Sequence, residues 1–346
     1  MNQPLPDPRG AGLSIWYFAF GYFACYAPYS ALTKALSKGL LPGMSGPING
    51  FVLLPVTVIA SIVGMFIFIS AMGWWKYAGH RTIGGVSLPM PGKYTLLSGL
   101  FTALIVATTT LAYTFKGVSI VFMMLLMRGG VLIIAPIVDR LSGRDVRWFS
   151  WAALGFSLAA LLVAFSEKGG YKITIIATLD VFFYLMSYLF RLRFMSKLAK
   201  SKDVRLNTRF FVEEQMVATP SLILILGVLA LVGQGEQMMQ LRAGFTSFFG
   251  SEYLWIAIVI GILSQGTGVF GGLILLGKQE NTFCVPVNRS SSILAGVIAG
   301  LSLTHWFGQT PTSTYQLIGA GLIIMAILFL SVPSLFPAKS AQPAKS

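Results

Sequence analysis

The chain has 346 residues, of which 55% are hydrophobic and only 10% are charged, and its formal net charge is +14. An ordinary soluble domain carries roughly 25% charged residues, so this composition excludes a soluble enzyme or a soluble binding domain. It predicts an all-α integral membrane protein, because long uncharged segments suit the interior of a bilayer.

The predicted helices follow from the runs that lack charge. No charged residue lies between Arg9 and Lys34, or between Lys38 and Lys76, and a helix that crosses a bilayer needs about 20 mostly apolar residues. We therefore expect about ten transmembrane helices, near residues 11–36, 50–75, 94–115, 117–138, 148–166, 172–192, 211–233, 253–277, 281–302 and 315–336. The first segment is too long for the apolar part of a signal peptide, so we expect it to be retained.

The distribution of Lys and Arg predicts the orientation. Most of these residues fall on the side that holds both termini, and the opposite side has only Lys34, Lys38, Lys116, Lys168, Lys172 and Arg242. Loops rich in Lys and Arg stay in the cytoplasm, so we expect both termini there. The basic residues from Arg191 to Arg209 are interpreted as one loop beside anionic lipid headgroups. The positive charge therefore indicates membrane lipids as partners and requires no nucleic acid.

The two halves of the chain resemble each other. The first predicted helix ends with residues 29–34, which begin with Tyr and finish with Lys. The sixth ends with residues 188–193, which begin with Tyr and finish with Arg. Residues 122–128 similarly match residues 283–289, at nearly the same offset. Five helices per half is an odd number, so the second copy enters the membrane inverted. We predict two inverted five-helix repeats, residues 1–168 and 169–346, the second with a short disordered tail, and a substrate site between them near the midplane.

Three short patterns carry a resemblance to a known family. Between Val118 and Ala164, an arginine inside the fourth predicted helix is followed by a short basic loop and then by Trp148. Residues 285–289, Val-Pro-Val-Asn-Arg, resemble the Gly-Ala-Leu-Asn-Lys motif of GDP-mannose carriers, and residues 211–214, Phe-Val-Glu-Glu, stand where those carriers have Phe-Tyr-Asn-Asn. With its two halves, the chain resembles the drug/metabolite transporter superfamily, whose ten-helix members pair two EamA-like halves, and within it the nucleotide-sugar and triose-phosphate branch.

Two arginines inside predicted helices are the strongest candidates for a binding site. Arg128 lies in the fourth helix and Arg289 at the equivalent point of the ninth. Arginine at the centre of a bilayer costs about 2.5–3.5 kcal/mol on insertion scales, so it faces a cavity or a partner. Together the two guanidinium groups could hold a phosphate or a carboxylate through paired hydrogen bonds. Alternatively, each could pair with Asp180, a glutamate or helix carbonyls in a structural role.

Other polar residues in the predicted helices are further candidates for substrate binding. Asn288, Tyr113 and Gln265 could line the same pocket, or they could bond to helix carbonyls. Glu213 and Glu214 occupy the position of the transporter motif, and their alternative role is solvation at the membrane interface. Asp180 is the one acidic residue deep in a predicted span. It could carry a coupling proton, or it could serve as a fixed counter-ion to an arginine.

These features together predict a secondary-active, alternating-access transporter of a small anionic or zwitterionic metabolite, phosphorylated or carboxylated, as a monomer or homodimer. The alternatives are a flippase for a lipid or lipid-linked headgroup, and a proton-coupled exporter of an amino acid or drug. Only two histidines and two cysteines occur, Cys25 and Cys284, both within predicted helices. No metal-binding or hydrolase motif is present, so we expect no enzyme activity, no metal and no cofactor.

Overall fold

The computed structural model describes residues 10–112, 115, 120–143, 146, 148–166, 174–200, 203–279, 281–310 and 313–335. Within these ranges the chain forms eleven α-helices: α1 Gly10–Lys38, α2 Gly50–Ala71, α3 Lys93–Ala112, α4 Ile120–Leu141, α5 Trp148–Phe165, α6 Ile175–Leu198, α7 Val204–Val232, α8 Gly235–Phe245, α9 Leu254–Leu275, α10 Asn281–Phe307 and α11 Thr314–Leu335. The predicted disordered tail lies outside the described residues.

Six of these helices are long and apolar enough to cross a membrane, namely α2, α3, α6, α7, α9 and α10. This finding confirms the all-α class and indicates a multi-pass membrane protein. Each of the ten predicted segments overlaps one of the long helices. The short helix α8 was not predicted, because its mixed polar sequence, Gly-Glu-Gln-Met-Met-Gln-Leu-Arg-Ala-Gly-Phe, gives no bilayer-length apolar run.

The interpretation of the basic residues from Arg191 to Arg209 as a single loop was wrong. Helix α6 continues to Leu198 and α7 begins at Val204, so most of this basic segment is helical. Arg191 is buried inside the protein. A charged side chain can occupy that position because Glu214 of α7 neutralises it, a contact described below.

A β-hairpin joins α2 to α3 and was also not predicted. Strands β1 (His80–Ile83) and β2 (Val86–Pro89) pair antiparallel. The two residues between them, Gly84 and Gly85, have φ angles of 60° and 84°, and a two-residue hairpin turn with positive φ at both positions favours glycine.

The helices pack in an order that brings distant parts of the sequence together. Helix α1 contacts α9 and α10, α4 contacts α6 and α10, and α3 lies against α6 and α7. Helices α2 and α9 approach closely at Gly261, where an added Cβ would lie 2.3 Å from the carbonyl oxygen of Thr57. Glycine is therefore required there, and the contact holds α2 beside the central cavity.

Candidate functional site

A central cavity lies among these helices, with a volume of about 70 Å³ open to the centres of water-sized molecules. Its walls combine arginine, tyrosine, amide and hydroxyl side chains with aliphatic side chains and glycines. The lining includes Tyr22, Tyr26, Tyr29, Ser61, Thr102, Thr109, Arg128, Tyr188, Arg191, Gln215, Thr219, Ser264, Gln265, Thr267, Asn288 and Arg289. Four of the predicted site residues, Arg128, Arg289, Asn288 and Gln265, are therefore brought to one cavity.

The two central arginines share a hydroxyl group. Arg128 donates through Nη1 to the hydroxyl of Tyr184 and through Nη2 to that of Tyr26. Arg289 donates through Nη1 to the same Tyr184 hydroxyl, at 2.8 Å, and through Nη2 to the hydroxyl of Tyr188, also at 2.8 Å. Both arginines are almost fully buried, with 2% and 1% of their surface exposed. Residues from two helices far apart in sequence therefore meet at one point.

Tyrosine rings also contact the guanidinium groups. The Cζ atom of Arg128 lies 5.2 Å from the ring centroid of Tyr26 and 5.0 Å from that of Tyr184, and Cζ of Arg289 lies 4.6 Å from the ring of Tyr188. Aromatic faces attract cations, most strongly in desolvated surroundings. These rings partly compensate the positive charges without neutralising them, because a neutral tyrosine carries no formal charge.

Asp180 does not act as the counter-ion of either central arginine, so that alternative was wrong. Asp180 is buried on α6, yet the ion pairs within the described ranges do not include it. Its Oδ2 atom has no hydrogen-bond partner among the described residues, and Asp180 is not one of the described residues that line the cavity. Arg289 likewise forms no ion pair within the described part of the chain. Asp180 stays a candidate for proton coupling.

Two residues that line the cavity each have a buried polar atom without a hydrogen-bond partner among the described residues. The Nε atom of Arg289 and the Oδ1 atom of its neighbour Asn288 have no hydrogen-bond partner among the described residues, whereas Nδ2 of Asn288 donates to the carbonyl oxygen of Gly271 at 3.2 Å. Buried polar groups are normally satisfied, so an orphaned pair in a cavity wall calls for an explanation. Both atoms belong to residues that line the cavity.

Arg191 is a third cation in the cavity wall and was not predicted. Its Nε and Nη2 atoms donate to Oε1 and Oε2 of Glu214 at 2.9 and 2.6 Å, a paired geometry typical of arginine and carboxylate. The hydroxyl of Ser98 on α3 donates to the same Oε1 at 2.5 Å. Arg191 thus contributes to the cavity with its charge already compensated, unlike Arg289.

The interpretation of Glu213 and Glu214 as interfacial, solvated residues was wrong. Only 2% of Glu213 and 0% of Glu214 is exposed. Glu213 accepts from Nε of Arg209 at 2.7 Å and from the backbone N–H groups of Gly79 and Gly92, at the two ends of the hairpin segment. Both carboxylates can be buried because other helices and loops supply their donors. Neither glutamate lines the cavity.

The remaining predicted site residues have different positions. Gln265 of α9 lines the cavity and donates through Nε2 to Oε1 of Gln215 on α7, at 3.3 Å. Tyr113 lies outside the described residues. In the part of the chain that the structure covers, no group of three or more His, Cys, Asp or Glu side chains could hold a metal ion.

The tyrosines were the main part of the site that the sequence prediction missed. Tyr22, Tyr26 and Tyr29 of α1 are spaced to share one helix face, as are Tyr184 and Tyr188 of α6. The signal was present in the sequence, because the hydroxyl-bearing rings recur at helical spacing within two of the predicted membrane helices. Their relation to Arg128 and Arg289 required the tertiary structure.

Comparison with known proteins gives the fold alone. No protein-family profile matches the sequence, and no curated protein matches it. A solved crystal structure, described in no more detail than as that of a protein, is similar with a TM-score of 0.57 at 16% sequence identity. The similarity covers 92% of this chain and 96% of the other, so the fold extends over nearly the whole of both.

Proposed function

We propose that this protein is an alternating-access transporter of the drug/metabolite type, with ten membrane spans in two inverted repeats, residues 1–168 and 169–346. Its substrate is a small organic metabolite with an anionic or zwitterionic group, phosphorylated or carboxylated. The observation that carries the proposal is that Arg128 and Arg289, which line one cavity, both donate to the hydroxyl of Tyr184.

The arrangement of α4 and α10 supports the repeat. The two helices pack against each other, and each contributes one central arginine at the position where the two halves of the sequence match. Contacts near the end of α4 reach the first residues of α10, so the helices run antiparallel. An inverted repeat places equivalent helices in this way around a central site.

The charge of the cavity supports an anionic group on the substrate. Arg289 contributes a buried positive charge that no described carboxylate neutralises, and burying such a charge without a partner is unfavourable. A phosphate or carboxylate could accept paired hydrogen bonds from a guanidinium group. The Nε atom of Arg289 has no hydrogen-bond partner among the described residues, so this donor is not already occupied by them.

A ligand screen would test the proposal. The purified protein is expected to melt at a higher temperature with its substrate, because a ligand at 100 times its Kd stabilises the folded state by about 2.7 kcal/mol. The screen should contain phosphorylated sugars, nucleotides, amino acids and lipid headgroups. Stabilisation by lipid headgroups alone would favour the flippase, and stabilisation by cationic or neutral compounds alone would contradict an anion carrier.

Substitution of the two arginines tests the site itself. Arg128→Ala and Arg289→Ala are each expected to weaken binding of the stabilising ligand by about 2–5 kcal/mol, as for loss of a buried charge partner. Lysine at either position should restore part of the affinity, since a point charge cannot form two parallel bonds. Arg193→Ala is the matched control, because Arg193 lies on α6 but outside the cavity lining. Unchanged affinity in both alanine variants would assign these arginines a structural role.

The rest of the proposal concerns location and driving force. Both termini are placed in the cytoplasm by the excess of Lys and Arg on their side of the membrane. The carrier works as a monomer or a homodimer and needs neither a cofactor nor a nucleic acid. Asp180 is the candidate for proton coupling, and its test is given in the Discussion.

A further inference from the structure

A single carboxylate joins the end of α4 to the beginning of α10. Oδ1 of Asp139 accepts from Nδ2 of Asn281 at 2.7 Å and from its backbone N–H at 3.3 Å. Oδ2 accepts from the backbone N–H of Thr282 at 2.9 Å and from its hydroxyl at 2.6 Å. Asn281 also donates to the hydroxyl of Ser196 on α6. We call the contacts of Asp139 with Asn281 and Thr282 the Asp139 cap.

The Asp139 cap performs the role of a helix N-cap from a distant part of the chain. The first N–H groups of an α-helix have no partner within the helix, and an N-cap side chain normally comes from the residue just before it. Here the acceptor lies on another helix, 142 residues away in sequence. The negative charge also interacts favourably with the positive end of the helix dipole. Breaking the cap would expose unsatisfied groups on both sides.

The cap lies on the two helices that carry the central arginines. Asn281 precedes Arg289 by eight residues on α10, about 12 Å along a helix, and Asp139 follows Arg128 by eleven residues on α4, about 16 Å. Asp139 and Asn281 are fully buried and Thr282 is 3% exposed. The contacts between α4 and α10 at this end are therefore buried inside the protein.

Two further carboxylates connect the predicted repeats near the same end. Glu214 of α7 accepts from the hydroxyl of Ser98 on α3, and Glu213 accepts from the hydroxyl of Thr95, also on α3, at 2.7 Å. In the proposed ten-span topology, the hairpin loop that Glu213 binds lies on the same side as the α4–α5 loop, because two spans, α3 and α4, separate the two loops. Three buried carboxylates thus join helices of the two predicted repeats.

The equivalent sequence positions at the opposite end of the α4–α10 pair carry different side chains. At the offset that relates Arg128 to Arg289, the position equivalent to Asp139 is Gly300, and those equivalent to Asn281 and Thr282 are Ile120 and Val121. Glycine and branched aliphatic side chains cannot form a charged cap. The two predicted repeats therefore differ at these positions, and the contact made by Asp139 has no counterpart among the equivalent residues.

We propose that the Asp139 cap is the gate contact that holds this end of the cavity closed, and that it releases Asn281 and Thr282 each time the carrier opens on the side of the α4–α5 loop. The proposal rests on the proposed transport function, since it assigns the cap to alternating access. It predicts that the ligand-free protein favours the state closed at this end.

The native thiol of Cys284 reports on the cap. Cys284 lies two residues after Thr282 and is fully buried, and the only other cysteine, Cys25, can be replaced by alanine. The rate of modification of ligand-free, purified protein by a small polar thiol reagent then measures opening at this end. Asp139→Ala is expected to raise that rate about tenfold, in proportion to the loss of an N-cap. Thr282→Val, which removes one of the four hydrogen bonds, should raise it less.

Asp203→Ala is the matched control. Oδ1 of Asp203 accepts from the N–H of Arg205 and caps α7 locally, so its loss removes an aspartate cap without separating α4 from α10. No change in the Cys284 rate is expected for this variant. An unchanged rate in folded Asp139→Ala, or an equal rise in Asp203→Ala, would overturn the proposal. If Asp139→Ala does not fold, Asp139→Asn and Thr282→Val are judged by the same criterion.

A second thiol separates gate opening from local fraying of α10. Ser264 lines the cavity, so Ser264→Cys in a chain without its native cysteines places a thiol there. In vesicles, this thiol can be treated with a membrane-impermeant thiol reagent from the side of the α4–α5 loop. If the end of the cavity opens, Asp139→Ala should raise the labelling of this cavity thiol as well. If only the end of α10 frays, labelling should rise at Cys284 alone, and that result would contradict the proposal that the cap is a gate contact. Neither measurement contains a substrate. A failed ligand screen therefore leaves this result valid, and a failed gate test leaves the ligand result valid.

Discussion

Arg191→Ala is expected to destabilise the protein far more than Arg209→Ala, although the two arginines pair with adjacent glutamates at nearly equal distances. Nη2 of Arg191 lies 2.6 Å from Oε2 of Glu214, and Nε of Arg209 lies 2.7 Å from Oε1 of Glu213. The difference is in burial, because 5% of the Arg191 side chain is exposed and 51% of the Arg209 side chain.

The size of each expected loss of stability depends on the hydrogen bonds that the glutamate retains after its arginine is removed. Without Arg191, the described contacts of Glu214 reduce to the hydroxyl of Ser98, and loss of one partner of a buried ion pair costs about 3–5 kcal/mol. Without Arg209, Glu213 still accepts from Thr95 and from two backbone N–H groups. An exposed ion pair contributes about 0–1 kcal/mol, so Arg209→Ala should change the free energy of unfolding by no more than that.

The assay is reversible unfolding of ligand-free protein by sodium dodecyl sulfate in mixed micelles, followed by circular dichroism. The double variant Arg191→Ala/Glu214→Ala should lose less than the sum of the two single variants, because no buried charge is then left unpaired. Equal losses in Arg191→Ala and Arg209→Ala, or strict additivity in the double variant, would refute the view that burial sets the strength of these pairs.

Two further predictions concern packing and coupling. Gly261→Ala should lower the free energy of unfolding by about 1–3 kcal/mol, because the added Cβ would overlap the carbonyl oxygen of Thr57 and overpacking costs that much. Gly155→Ala is the control, because outside the adjoining turns of its own helix no atom lies within 4 Å of the added Cβ. This control variant should not be destabilised in the same assay. Asp180→Asn should keep its stability, since it leaves no cation unpaired, but lose pH-gradient-driven uptake while counterflow in proteoliposomes persists. Full gradient-driven uptake by this variant would remove Asp180 from the mechanism.

The sequence by itself determined where the long helices lie. The segment predicted at residues 117–138 is observed as Ile120–Leu141, and that predicted at 253–277 as Leu254–Leu275. The physical reason is local: an uncharged run of bilayer length can satisfy its backbone groups in lipid as a helix. The same reasoning placed two arginines inside helices, because a charge within such a run must have a function or a partner.

Only the tertiary structure decided which charges are buried and what they contact. The density of basic residues predicted a loop around Arg191, yet α6 continues through it because Glu214 supplies a carboxylate from the next helix. Asp139 gave no signal in the sequence, since an acidic residue near a helix end is ordinarily solvated. Asp139 is buried because it accepts hydrogen bonds from the first N–H groups of α10, a helix that begins 142 residues later in the sequence. Pairing across such separations depends on how helices pack, and no local pattern encodes it.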